Sequence, residues 1–108
     1  MEMLSLTEVG ERLGIGPTGV RSMIKDGGLL AVRREGEGLV VPADCLDGDV
    51  PVKHLRGVLT LLRDARYTDE EALRWLMTPD ETLPGTPLQA LHENRATEIK
   101  RRAQALAF

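Results

Sequence analysis

The sequence contains very few cysteines and aromatic residues. Cys45 is the only cysteine among 108 residues, which excludes an internal disulfide and a zinc site built from several cysteines. Phe, Trp and Tyr make up 3% of the chain, so Leu, Val, Ile, Ala and Met must form its hydrophobic core. His54 and His92 lie far apart, and neither has a carboxylate or histidine at metal-ligand spacing. We therefore expect no metal ion.

A long apolar segment is also missing. The N-terminal stretch MEMLSLTEVG carries acidic charge and has no apolar run of the length found in secretory signals or membrane spans. With 42% apolar and 29% charged residues, the composition is that of one compact folded domain, or of two small subdomains that share a core. We therefore expect a cytoplasmic protein that does not associate with membranes.

The residue sets of common enzyme sites are absent as well. Neither half contains a Ser/His/Asp set, a catalytic carboxylate pair or a phosphate loop with lysine. The stretch GIGPTG at residues 14–19 has the glycine spacing of a dinucleotide-binding loop, but that loop requires a buried strand before its first glycine. Here apolar residues recur at helical spacing from Leu6 to Leu13. Ser5 with Glu8 adds a capping box, so we predict a helix there and expect neither a cofactor nor an enzyme.

The glycines instead fit a helix-turn-helix motif. Such a motif needs a small residue where the helices cross, a glycine at the turn and apolar residues on the inner face of the second helix. The residues at these places are Gly10, Gly14, Val20 and Met23. Ile15 is expected to plug the core after the turn. Pro17 suits the first position of the second helix, which we predict to run to about Asp26 and to stop at Gly27 and Gly28.

A short β-hairpin is predicted after the second helix. Leu30 to Arg34 and Leu39 to Pro42 are two β-prone runs that flank a Glu/Gly turn. A helix-turn-helix followed by a hairpin is a winged helix, and the alternative is a small αα-ββ module whose hairpin only closes the core. We predict a winged helix-turn-helix domain over residues 1–50, with Asp47 to Pro51 as the linker to the second half.

The second half is predicted to be a helical domain over residues 51–108, so that the fold is mainly α with a small β-hairpin wing. Apolar periodicity predicts a helix from about His54 to Ala65. Thr68 with Glu71 forms a second capping box, Thr86 with Pro87 opens a third helix, and a last helix begins near Arg95.

The last predicted helix carries a narrow apolar seam. Its members are Ala96, Ile99, Ala103 and Leu106. The seam must be covered by the protein's own helices or by another chain, because a bare apolar stripe favours association. Helix-turn-helix proteins commonly bind paired half-sites on duplex DNA as two-fold dimers, so we expect a homodimer through this helix.

Several polar residues are candidates for DNA contact. With Val20, Met23 and Ile24 facing inward, the helical period turns one polar face of the second helix outward. The predicted DNA-binding residues are Thr18, Arg21, Ser22 and Lys25 on this helix, and Arg33 and Arg34 on the wing. Arg21 suits a guanine or a phosphate, and Lys25 suits a phosphate. The alternative is that these charges form an ordinary solvated face.

The charge distribution predicts weak DNA binding by the first half alone. Residues 1–52 contain five Lys/Arg and nine Asp/Glu, and the wing tip carries Glu35 and Glu37. Non-specific affinity comes mainly from neutralised phosphates, so further cations are needed. The densest basic run of the chain, Lys100, Arg101 and Arg102, is expected to supply them, unless it too is a solvated face.

Three long stretches resemble one family. They are LTEVGERLGIGPTGVRSMIKDGGLLAVRREGEGLVVP, LRGVLTLLRDARYTDEEALRWLMTPDETL and ALHENRATEIKRRAQALAF. They look like the actinobacterial winged-helix DNA-binding proteins known as substrates of a serine/threonine kinase. The resemblance implies sequence-tolerant binding to double-stranded DNA, as a transcriptional regulator or nucleoid-associated factor. The family's phosphorylated threonine lies in an N-terminal tail, and this chain begins almost at the first helix, so the resemblance does not carry that regulation over.

A second resemblance concerns ALRWLMTPDETLPGTPLQAL. This stretch is similar to the partner-binding domain at the end of some helix-turn-helix antitoxins. That resemblance implies that a protein partner contacts Trp75, Pro79, Leu83, Gly85 and Pro87. The alternative is that these residues only cap the helical core.

Overall fold

The computed structural model describes residues 1–107, so Phe108, the last residue of the predicted C-terminal domain, lies outside the described residues. The helices are α1 (Leu6–Leu13), α2 (Pro17–Lys25), α3 (Leu55–Asp64), α4 (Asp69–Met77), α5 (Pro87–His92) and α6 (Ala96–Ala105). The strands are β1 (Met3–Ser5), β2 (Val32–Arg34), β3 (Gly38–Pro42), β4 (Leu46–Asp47) and β5 (Val50–Pro51), with a short 3-10 turn at Ala43–Cys45. The predicted mainly helical fold with a small hairpin is confirmed.

The wing is a three-stranded antiparallel sheet rather than a bare hairpin. Its strand order is β1-β3-β2, so the predicted hairpin of β2 and β3 gains a strand from the N-terminus. Met3 pairs with Pro42 and Leu4 with Val41. The sequence pattern did not predict β1, because three residues are too few to show alternation. β1 is stabilised by its pairing with β3, which joins the start of α1 to the wing.

The helix-turn-helix has the predicted geometry. The Glu8 N–H donates to Ser5 Oγ at 3.1 Å and the Ser5 N–H donates to Glu8 Oε1 at 2.9 Å, which completes the capping box of α1. The Ser5 backbone and side-chain hydrogen bonds hold the pKa of Glu8 below its ordinary value. At the other end of α1, Gly14 takes a left-handed conformation with φ of 71°. A glycine has no steric penalty there.

The second helix ends in a Schellman motif. The Gly28 N–H donates to the Met23 carbonyl at 2.8 Å and the Gly27 N–H to the Ile24 carbonyl at 3.1 Å. Gly27 has a φ of 87°, the left-handed conformation that this motif requires. The predicted end of α2 is therefore confirmed.

The segment from Asp47 to Pro51 is not a simple linker. It contributes to a two-stranded ribbon in which Leu46 pairs with Pro51 and Asp47 with Val50. Gly48 makes the turn between the strands with a φ of 66°. The sequence pattern did not predict the ribbon, since two-residue strands carry no periodic signal. The ribbon places α3 directly after the winged helix.

Both halves contribute to one hydrophobic core. Buried side chains run from Leu4 in β1 to Ala103 in α6 without a break between the halves. α6 packs against α3 and α5. The first three seam residues, Ala96, Ile99 and Ala103, are buried by these contacts, whereas Leu106 is 37% exposed. Among the helices of residues 1–107, none has the length and apolar character needed to cross a bilayer.

Cys45 lies in this core, and its thiol makes stability depend on pH. Burial, with a smaller effect of the Asp44 charge, raises the pKa of Cys45 from 9.0 to about 12. Above pH 9 the unfolded thiol loses its proton while the folded one keeps it, so stability falls as pH rises. We expect the wild type to lose about 1.4 kcal/mol more unfolding free energy than Cys45→Ala between about pH 8 and about pH 10. Urea titrations at each pH measure this difference, and parallel profiles for the two proteins would contradict it.

Candidate nucleic-acid interface

The outer face of α2 is polar and exposed, as predicted. Its exposed side chains include Thr18, Arg21, Ser22 and Lys25. On the opposite face Val20 is fully buried, while Met23 and Ile24 are partly buried against the core. The structure therefore brings the four candidate contacts of this helix together on one surface.

The crossing of α1 and α2 depends on Gly10. A Cβ at this position would lie 2.5 Å from the backbone carbonyl oxygen of Ile15. Any larger residue would force the turn away from α1. The crossing therefore requires the predicted small residue, because the Ile15 backbone lies too close to leave room for a side chain.

Ile15 does not plug the core as expected. Its side chain is 38% exposed and lies over Gly19, where a Cβ would be 3.3 Å from Ile15 Cδ1. The reason is that Gly10 brings the Ile15 backbone against α1, so the side chain points to the surface of α2. The Ile15 side chain thus covers Gly19 in the first turn of α2.

The two wing arginines have different surroundings. Successive residues of a strand point to opposite faces. Arg33 is exposed, whereas Arg34 forms an ion pair with Glu70 of α4 and donates to the Arg33 carbonyl at 3.0 Å. Arg34 therefore fastens the wing to the C-terminal half. Arg33 remains available for an external contact.

The wing tip carries two exposed acids. Glu35 and Glu37 lie at the turn between β2 and β3. Two carboxylates repel phosphates at the point where a wing approaches DNA. The tip of the hairpin is therefore unfavourable for an anion.

The basic run of α6 does not form one basic face. Arg102 donates to Asp80 at 3.1 Å and to Glu98 at 2.8 Å. The Lys100 Nζ lies 3.3 Å from His54 Nδ1, and its side chain covers Gly57 of α3. Arg101 is exposed. Two of the three predicted phosphate contacts thus make contacts within the protein.

Two arginines of α3 lie beside the end of α2, a position that no sequence pattern predicted. Arg56 Nη1 donates to the Asp26 carbonyl at 2.8 Å. A Cβ on Gly28 would lie 2.6 Å from Arg56 Nη2, and a Cβ on Gly27 would lie 2.5 Å from Arg63 Nη1. A helix end of this kind needs only one glycine, which is Gly27. Gly28 is therefore the sequence feature that could have indicated the close approach of another element.

A groove of about 820 Å³ lies in the C-terminal half. Its lining includes Tyr67, Trp75, Pro79, Pro87 and Leu106. Of the five residues implied as partner contacts, Trp75, Pro79 and Pro87 therefore line one groove. Leu83 is buried in the core, and Gly85 makes a turn with a φ of 103°.

One edge of this groove is an ordered acidic turn. Asp80 Oδ1 accepts hydrogen bonds from the Thr82 backbone N–H at 2.8 Å and from its hydroxyl at 2.7 Å. These bonds, with a smaller effect of the Arg102 charge, lower the pKa of Asp80. Asp80 therefore stays ionised and holds Arg102 at the groove.

Comparison with known proteins gives one consistent family. Residues 1–46 match the family described as DNA-binding protein Rv2175c, wHTH domain, and residues 52–107 match the Rv2175c C-terminal domain of unknown function. The chain is 42% identical to the DNA-binding protein Rv2175c of Mycobacterium tuberculosis over 117 residues, which cover 95% of this chain and 79% of that protein. It also resembles the NMR structure of Rv2175c, with a TM-score of 0.90 and 38% identity, over 99% of this chain and 82% of that one.

Proposed function

Because this chain belongs to the Rv2175c family of winged-helix proteins, we propose that it binds double-stranded DNA. The single observation that supports this most directly is the outer face of α2, where four polar side chains are exposed together on a helix held by a helix-turn-helix crossing. A second helix of this kind lies in the major groove, with its N-terminal residues near base edges.

The side chains of α2 have distinct proposed roles. Arg21 contacts a guanine or a phosphate, and Thr18 and Ser22 contact either. Lys25, in the last turn, contacts a phosphate. The first turn of α2 offers a single side-chain donor, that of Thr18, because Pro17 and Gly19 have none. This scarcity of base-reading groups supports sequence-tolerant binding.

The wing adds a contact through Arg33. Its neighbour Arg34 supports that contact by fixing the wing against α4 through Glu70. An ion pair between two partly exposed side chains contributes at most about 1 kcal/mol. Arg34 is therefore also free to exchange this carboxylate for a phosphate when DNA is present.

The proposed role is that of a cytoplasmic, nucleoid-associated factor or transcriptional regulator without enzymatic activity. Residues 1–50 form its DNA-contacting part and residues 51–108 its helical part. The α6 seam does not require a second chain, since Ala96, Ile99 and Ala103 are covered by the protein's own helices. We therefore propose that a monomer binds DNA, in place of the homodimer expected from the sequence.

A second candidate function is binding of a protein partner in the groove beside Trp75. Its support is that three of the five antitoxin-like positions line this groove together. The groove also presents Leu106, and its lining carries charges of both signs, so a partner segment with apolar side chains fits it. Capture of one defined protein by the wild type and not by Trp75→Ala, together with no DNA affinity, would favour this role.

A titration of labelled duplex with the wild-type protein tests the proposed function. We expect log K to fall linearly with log salt between about 50 and about 200 mM, with a slope of about −0.9 for each phosphate that is neutralised. Duplexes of unrelated sequence should bind with similar affinity. No binding at the lowest salt, or an affinity that does not change with salt, would contradict DNA binding through phosphates.

A further inference from the structure

Three cationic residues lie on or beside the last turn of the second helix of the helix-turn-helix. Lys25 belongs to α2, and Arg56 and Arg63 reach the same turn from α3. We propose that this turn surface, formed by Lys25, Arg56 and Arg63, binds DNA phosphates beside the major groove. The inference rests on the DNA binding proposed above and assigns α3 a direct part in it.

The position of the turn surface relative to α2 is fixed by short contacts. Arg56 donates to the Asp26 carbonyl at 2.8 Å, and both guanidinium groups occupy space that the side chains of Gly27 and Gly28 would otherwise fill. The Arg56 guanidinium is therefore held at the end of α2, and the Arg63 guanidinium lies beside Gly27 with no hydrogen bond to α2 within residues 1–107. A phosphate contact needs such fixed donors, because contacts to the backbone set the register of a protein on the duplex.

The arginines retain donors for an external anion. Arg56 is exposed, and a guanidinium has five N–H groups, of which the Asp26 carbonyl takes one. Arg63 has Asp69 as a partner at 3.8 Å, with both side chains more than a third exposed. An exposed pair of this kind contributes at most about 1 kcal/mol, whereas a phosphate accepts two parallel bonds from a guanidinium.

The local charge is also less acidic here than in the rest of the N-terminal half. The three cations of the turn surface have three carboxylates on or next to them, Asp26, Asp64 and Asp69. The rest of the N-terminal half is acidic, and the cations of α6 are mostly engaged within the protein. The turn surface is thus the part of the C-terminal half that adds positive charge directly beside α2.

A structural role alone would also place cations here, since a helix C-terminus carries a partial negative charge. Arg56 has that role through the Asp26 carbonyl, so its removal would change the end of α2 as well. Arg63 makes no such hydrogen bond to α2 among the described residues, and it is therefore the residue to change.

The salt dependence of DNA binding separates the two roles. Arg63→Gln should lower the slope of log K against log salt by about 0.9, whereas Arg63→Lys should keep the wild-type slope. Arg74→Gln removes one exposed charge from α4 and serves as the matched control with an unchanged slope. In the wild type, the Nε–H resonance of Arg63 should shift when duplex is added, and that of Arg74 should not.

The outcomes distinguish this inference from the function on which it rests. If the wild type binds DNA and Arg21→Gln lowers the slope while Arg63→Gln does not, the turn surface is overturned and the proposed function stands. If the wild type binds no duplex, both fail. If Arg63→Gln is unfolded by circular dichroism, the Nε–H resonance of the wild type decides, and an unshifted Arg63 signal overturns the inference.

Discussion

Gly10→Ala should lower the free energy of unfolding by about 3 kcal/mol, at the upper part of the range for overpacked cores. The added methyl would lie 2.5 Å from the Ile15 carbonyl oxygen, and backbone cannot rotate away as a side chain can. This loss is a large part of the roughly 5–15 kcal/mol that stabilises a protein domain. Urea titration followed by circular dichroism measures the change.

Gly19→Ala is the matched control for that substitution. Its methyl would meet the flexible, partly exposed Ile15 side chain at 3.3 Å. In a helix interior alanine is favoured over glycine by about 1 kcal/mol, so the control should be as stable as the wild type or more stable. Equal losses in the two variants would show that the crossing of α1 and α2 is not the critical contact.

The double variant Arg21→Ala with Lys25→Ala should bind duplex DNA about 60-fold more weakly than the wild type at about 0.1 M salt. Two lost phosphate contacts reduce the slope of log K against log salt by about 1.8. If the two proteins bind equally at about 1 M salt, a tenfold lower salt concentration separates their affinities by about 1.8 log units, which is about 60-fold. Both side chains are exposed, so the melting temperature should not change. Fluorescence anisotropy at several salt concentrations gives the affinity and the slope together.

The control for the double variant is Lys53→Ala with Arg74→Ala. It removes the same net charge from exposed side chains of the C-terminal half. If only the overall charge matters, the two double variants will lose affinity equally, and the assignment of α2 as the DNA-contacting helix is then wrong. A selective loss in the α2 variant supports that assignment.

Local signals in the sequence predicted most of the helices because their causes are local. The capping boxes at Ser5 and Thr68 and the glycine at position 14 each act within a few residues, and the structure contains all three. β1 and the β4–β5 ribbon had no such signal. β1 is stabilised by pairing with a strand that is distant in sequence, and β4 and β5 have only two residues each. Neither case leaves a periodic pattern of apolar residues in the sequence.

The partners of the basic residues could not be predicted for the same reason. Arg34 meets Glu70 across 36 residues of sequence, and Arg102 meets Asp80 across 22. Only the folded chain shows that these cations are engaged while Arg33 is exposed. Exposure on α2 was predictable, since a helix face follows from the spacing of its apolar residues.

The β4–β5 ribbon has a consequence for the modularity of the protein. Val50 and Pro51 are consecutive residues of one strand, and a cut between them would separate a strand from its own continuation. The C-terminal half also supplies a guanidinium of α3 to the end of α2 and a carboxylate of α4 to the wing. Domain shuffling that moved residues 1–50 alone would leave behind the groups that complete the wing and the end of α2. The two halves are therefore structurally dependent on each other, and a change in one constrains which residues the other can accept.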